Sequence, residues 1–273
     1  MRGNLAAVTG VGGGLDRPDR PDLPDLGGTA IRKQLIDRFV VASHGGVASK
    51  TLIRGLLNHP ARTVKFTLVP RHHTHRRRPN LYLPAEKKVI YLYGDPAHAI
   101  GSFLRRELTP SSVVEPDDSH PGFAGFARAH CRHLGGEYQR ISDGYSLDEF
   151  LSSPDDPFGL EDHFHRWTEA RVPYPILLVR YETLWAHLGE IYDFVGLPRA
   201  EAASFPAYKR TYVERHAAYD EPMARLRVRY ARLIADIARL PPISLLPATR
   251  RLGWRRVQFN YERLTASYRR SFV

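Results

Sequence analysis

Three short apolar runs punctuate the chain: RFVVAS at 38–43, KKVIYLYGDP at 87–96 and YPILLVRYETL at 174–184. Their apolar positions are consecutive rather than alternate, the pattern of strands buried on both faces of a parallel sheet. A fourth segment, TVKFTLVP at 63–70, alternates and is rich in β-formers. Between these runs the spacing turns helical. Leu52, Ile53, Leu56 and Leu57 form one stripe, and Ala99, Ile100, Phe103 and Leu104 form another. LDEFLSS, LEDHFHRWTEARV and WAHLGEIYDFVGLP read as further helices, the last with Gly196 as C-cap and Pro198 as stop. MARLRVRYARLIADIARL reads as one long basic amphipathic helix, and residues 109–122 read as a loop.

Strands alternating with helices predict an α/β domain of three α/β/α layers around a central, mostly parallel sheet. Ligands of such sheets bind beyond the carboxyl ends of the strands. That puts the loops after Val41, Val69 and Tyr93 on one functional rim. Residues 1–28, rich in Gly, Pro and Asp, read as a disordered tail, and 29–273 as a single domain.

Composition adds one strong constraint. Forty Lys and Arg against 29 Asp and Glu give a net charge of +11 and a pI near 9.9. An anionic partner is expected, and charge alone does not choose among nucleotides, sulfated or carboxylated glycans, nucleic acid and acidic membranes. Nucleic acid is not expected, because aromatic residues are not interleaved with the basic runs as stacking platforms require. The single cysteine, Cys131, excludes an intrachain disulfide framework and a cysteine-based zinc site. No apolar run reaches 18 residues and no signal-type apolar region opens the chain, so a cytoplasmic protein with no transmembrane segment is expected.

The first loop, SHGGVASKT, joins a strand to a helix through small residues. His44, Gly45, Gly46, Val47, Ala48, Ser49, Lys50 and Thr51 can offer an anion backbone N–H groups, hydroxyls and one cation. It is not a standard ATPase loop, since His44 and Ser49 stand where that motif has glycine. The second loop, PRHHTHRRRPNLYLP, carries histidines 72, 73 and 75 among four arginines. No carboxylate completes a ligand set there, so no metal is expected, and a histidine general base is the sharper reading. In the third, GDPAHAIGSFLRRE, Ser102 and Arg105 lie three residues apart and share a helix face suited to a second phosphate. His163 and Trp167 read as parts of a packed helix rather than as a ligand-lining strip.

Together these segments resemble the sulfotransferases that use 3′-phosphoadenosine-5′-phosphosulfate (PAPS), a family with a P-loop nucleotide-hydrolase-like architecture. The likeness spans about residues 36–200. The first loop resembles that family's phosphosulfate loop, PRHHTH its segment with the base histidine, GDPAHAIGS its 3′-phosphate segment, and PILLVRYETL and IYDFVGLP its later strand and helix end. The resemblance implies PAPS as co-substrate, no metal, His75 as catalytic base and a small-molecule or glycan acceptor, with carbohydrate sulfation favoured. Two registers of the first loop remain open, one with His44 as the phosphosulfate cation and one with Lys50, and Lys50 at a helix start is physically better placed. Gly94 stands where the family has arginine, which leaves Ser102 from its 3′-phosphate pair, with Arg105, Arg106 or a C-terminal arginine to compensate. The alternatives are a catalytically degenerate anion- or glycan-binding protein of this fold, and a P-loop kinase with Asp95 as its magnesium ligand.

Overall fold

The computed structural model describes residues 39–57, 73–108, 122–207 and 220–249. The expected strand at 63–70 and the expected tail at 1–28 lie outside the described residues, as do Arg71 and His72.

The apolar runs are strands β1 (Phe39–Ser43), β3 (Lys88–Tyr93) and β4 (Ile176–Arg180). They are joined by the two-residue β2 (His73–Thr74) and by β5 (Ile243–Leu246). The order across the sheet is β2-β1-β3-β4-β5. The first four strands are mutually parallel, with Val41 opposite His73 and Ile90, and Ile90 opposite Leu177. β5 pairs antiparallel with β4, Ile176 facing Leu246.

Consecutive apolar residues feed two cores, one on each face of the sheet. Ala42, Val89, Tyr91, Tyr93, Ile176 and Leu178 belong to one, and Val41, Ile90, Leu92, Leu177 and Val179 to the other. The second is closed by helix α1 (Ser49–Leu56), through Leu52, Ile53 and Leu56, and by α6 (Leu188–Val195), through Ile191, Tyr192 and Val195. The first receives Ala97 and Ile100 of α2 (Pro96–Leu108), Cys131 and Leu134 of α3 (Gly122–Leu134), and Phe164 and Trp167 of α5 (Leu160–Thr168). Met223 and Leu226 of α7 (Asp220–Arg229) and Leu233 and Ile237 of α8 (Ala231–Arg239) complete it. The short α4 (Leu147–Ser152), capped by Ser146, adds Phe150. Each fully buried Leu, Ile or Phe in these layers contributes on the order of 2 kcal/mol of transfer free energy.

Several expectations change in detail. The long basic helix is two helices, interrupted at Tyr230. The segment before Leu188 is a 3₁₀ helix, Tyr181–His187, that runs into α6, and Gly196 ends α6 with φ +82 as its sequence implies. α3, which no strong apolar periodicity announces, is a full helix of 13 residues. No helix among the described residues is long and apolar enough to cross a membrane.

This sheet fixes where a ligand goes. From β1 the chain passes to β2 on one side and to β3 on the other, so the crevice at their carboxyl ends is the topological switch point. The loops after β1, β2 and β3 meet there.

Candidate functional site

Ser43 ends β1 and its hydroxyl accepts a hydrogen bond from the Gly45 N–H at 3.3 Å, which starts the turn. Gly45, Gly46 and Ala48 then take positive φ values of 92, 68 and 53. Two glycines reach this region without strain, whereas Ala48 pays the steric cost of an L-residue. Glycine is also required by close approach. A Cβ on Gly45 would lie 2.4 Å from the His130 ring, and one on Gly46 would lie 2.6 Å from the Ala99 Cα of α2. The loop is therefore wedged between α3 and α2.

α1 begins directly after this turn. Its N-cap, Ala48, offers no side-chain acceptor, and its first turn holds no acidic residue. The N–H groups of Ser49, Lys50 and Thr51 precede the first helical hydrogen bond, from Leu52 N–H to the Ala48 carbonyl. Backbone donors and the positive end of the helix dipole converge there, an arrangement suited to an anion. Ser49 is buried, Thr51 half-buried and Lys50 exposed. Val47 faces away, into the core beneath α1.

The floor of the crevice is a group of histidines. His75, just past β2, donates Nδ1–H to the Ser43 carbonyl oxygen at 2.6 Å. That bond places its remaining lone pair on Nε2. The His73 ring packs edge-on against His75, 4.1 Å between centroids, and His130 packs against the other side at 5.1 Å. His130, from α3, donates Nε2–H to the His44 carbonyl at 2.8 Å. His44 lies inside, its ring 6.2 Å from that of His163, whose Nδ1 is 3.1 Å from the Tyr91 hydroxyl. Both His44 and His163 are buried, and neither His44 Nδ1 nor His163 Nε2 has a hydrogen-bond partner among the described residues.

Burial sets the charge of this group. Desolvation, then the neighbouring His75, lowers the pKa of His44 to about 4. Burial, then His75, lowers those of His73 and His130 to about 3. Burial, then the His44 charge, holds His163 well below its ordinary value. His75 is lowered to about 4, first by burial, while its bond to Ser43 works the other way. Among the described residues, His133 and then Lys50 add to the lowering. Arg77, in the same loop, pairs with Asp162 at 3.1 Å.

Lys50 acts electrostatically on both His73 and His75, lowering the pKa of each. His44 is enclosed and neutral at neutral pH, a poor cation. Ser102 lies beside the first loop, where a Gly46 Cβ would come within 2.9 Å of its hydroxyl, and it donates to the Ala99 carbonyl at 2.7 Å. Arg105 lies in α2, but its side chain is outside what the structure describes. Asp95 caps α2 by accepting from Ala97 N–H at 2.8 Å and sits 3.8 Å from Arg227. Its carboxylate is thus engaged at the helix start. His163 and Trp167 are packed as expected, with the indole N–H on the Arg76 carbonyl and the ring stacked on Tyr91.

One participant escaped sequence reasoning, His130, which belongs to an unannounced helix, and the meeting of His44 with His163 appears only in the fold. Among the described residues, one group has metal-ligand spacing, Glu161, His165 and Asp236, far from this loop in sequence. Its carboxylates are paired with Arg232 at 3.3 Å and Arg239 at 2.7 Å. Comparison of the chain with family models, with curated proteins and with solved structures finds no match.

Proposed function

We propose that this protein is a sulfotransferase that moves a sulfuryl group from an adenosine phosphosulfate, of which PAPS is the form implied by resemblance, to a hydroxyl of an acceptor such as a sugar. The observation that carries the reading is the pairing of an uncapped helix start with a neutral histidine bound to the same turn. The N–H groups at the start of α1 and Lys50 would hold the phosphosulfate. His75, fixed through Ser43, would receive the acceptor proton on Nε2.

The step balances without a further reactant. The acceptor oxygen forms a bond to sulfur as the sulfur–oxygen bond to the bridging phosphate oxygen breaks. The electron pair leaves with the nucleotide phosphate, the acceptor proton passes to His75, and Lys50 offsets the charge growing on the bridging oxygen. Positioning and charge stabilisation dominate such transfers, as in phosphoryl transfer. A pKa near 4 keeps His75 neutral and ready at neutral pH. A P-loop architecture fits the sheet order but is part of this proposal.

The test is turnover of adenosine phosphosulfates, with and without the 3′-phosphate, against a panel of sugar and phenol acceptors. Sulfated product that depends on Lys50 and His75 is the expected result. Nucleotide binding without transfer to any acceptor would favour a binding protein of the same fold, and absence of nucleotide binding would remove the reading altogether.

A further inference from the structure

The crevice has a second wall, the loop after β3, and its chemistry is opposite to that of the α1 turn. Gly94 is buried there. A side chain at this position has no room, because a Cβ would lie 2.8 Å from Glu182 Oε1 and 3.0 Å from the Tyr181 Cβ. Glu182, from the 3₁₀ helix after β4, folds over the turn and accepts the Asp95 N–H at 2.8 Å. Asp95 turns its own carboxylate onto the start of α2. A phosphate arriving here meets the carboxylate of Glu182, that of Asp95, which lies 3.8 Å from Arg227, and a helix start that is already capped. The hydroxyl of Ser102, which stands beside the Gly46 turn, already donates to its own helix. The α1 turn lacks such a cap, and next to it sits His44, wholly buried with an unpartnered Nδ1.

From this contrast we infer that the site selects a nucleotide whose ribose carries free hydroxyls, so that its donor is adenosine 5′-phosphosulfate rather than the 3′-phosphorylated form. The inference rests on the function proposed above and narrows it. One anionic group, the 5′-phosphosulfate, goes to the α1 turn. The sugar goes to the acidic wall, where a carboxylate accepts hydrogen bonds from a diol but repels a phosphate. Acidic residues in dinucleotide sites choose unphosphorylated ribose by the same rule. Selection here is as much by repulsion of the wrong ligand as by attraction of the right one. The group-transfer step is unchanged except that adenosine 5′-monophosphate leaves.

Calorimetry on the full chain with adenosine 5′-monophosphate and adenosine 3′,5′-bisphosphate separates the outcomes. The expected result is tighter binding of the monophosphate, by about tenfold or more for a carboxylate-to-phosphate repulsion at short range. Glu182→Gln, which keeps the size but removes the charge, should raise affinity for the bisphosphate and lower that for the monophosphate, so that the ratio of the two moves towards one. Tighter binding of the bisphosphate to the wild-type chain overturns the inference and leaves the sulfotransferase reading intact. Binding of neither nucleotide overturns both. The wild-type comparison stands even if Glu182→Gln fails to fold.

Discussion

His75 and Ser43 are joined by a hydrogen bond of 2.6 Å, from the imidazole Nδ1–H to the carbonyl oxygen that ends β1. The same Ser43 uses its hydroxyl to start the glycine turn. The His75 imidazole and the glycine turn are thus both anchored on one residue. In the proposed sulfotransferase, a shift of the turn would move the imidazole with it.

His75→Ala should reduce the rate of sulfuryl transfer by about 10²–10⁴-fold while leaving nucleotide affinity within a few fold. His75→Gln can keep one polar contact to Ser43 but cannot take a proton, and should be equally slow. Single-turnover rates measured alongside calorimetric nucleotide affinity check both. Equal losses in rate and affinity would make His75 a structural support of the turn.

Gly45→Ala should destabilise the fold by roughly 1–3 kcal/mol, the range expected for a residue forced into a sparsely populated backbone region. The His130 ring stands 2.4 Å from the added methyl, and φ is +92. Denaturant unfolding measures the loss. In the double variant with His130→Ala the steric part should disappear and the backbone part remain, giving a smaller loss than the two single changes added.

Acid should unfold the protein steeply. His44, His73, His75 and His130 have folded pKa values of about 3 to 4, against about 6.5 when unfolded. Above pH 6.5 they are neutral in both states and stability is flat with respect to them. As pH falls below 6.5 the unfolded chain takes up protons that the folded chain refuses, so stability is lost from there down towards pH 4 to 3. Each such histidine contributes about 1 kcal/mol per pH unit in that window. Thermal melts from pH 8 to 4 should show this slope, and His130→Gln should reduce it by about one proton. A flat profile across pH 6 to 4.5 would mean that the group is solvated and not buried.

Cys131 should resist thiol reagents in the native protein. Burial, with Asp156 adding to it, pushes its pKa up to about 12, and its Sγ–H donates to the Pro157 carbonyl at 2.8 Å. The thiolate is the reactive form. A colorimetric disulfide reagent should label less than a tenth of the thiol under native conditions in the time that labels it fully in denaturant.

The sheet was legible because Phe39–Ser43, Lys88–Tyr93 and Ile176–Arg180 carry uninterrupted apolar residues, and burial on both faces demands that pattern. The first turn was legible because two glycines and a lysine between strand and helix have few other uses. α3 was not, because GFAGFARAHCRHL spends its buried positions on Ala, Cys and His, which give weak contrast with its polar face. β5 was not, because ISLL is four residues between prolines and too short to carry a period. The break at Tyr230 is invisible in spacing alone, since α7 and α8 share one continuous basic pattern. The histidine floor was legible only in part. His44 and His75 lie on loops expected at one rim, but His130 and His163 join them from α3 and α5, and no local rule predicts that meeting.

β5 gives the fold a consequence for its synthesis. Ile176 and Leu246 are hydrogen-bonded neighbours about 70 residues apart in the chain. As the polypeptide leaves the ribosome, β4 emerges with one backbone edge unpaired, and it stays so until the final described strand follows it out. Arg180, at the end of β4, waits equally long for the Ile237 and Leu240 carbonyls that receive its guanidinium. The nascent chain therefore passes through a stage in which the rim of the crevice is assembled but its sheet is open along β4, and that edge is where a stalled or truncated product would adhere to its neighbours.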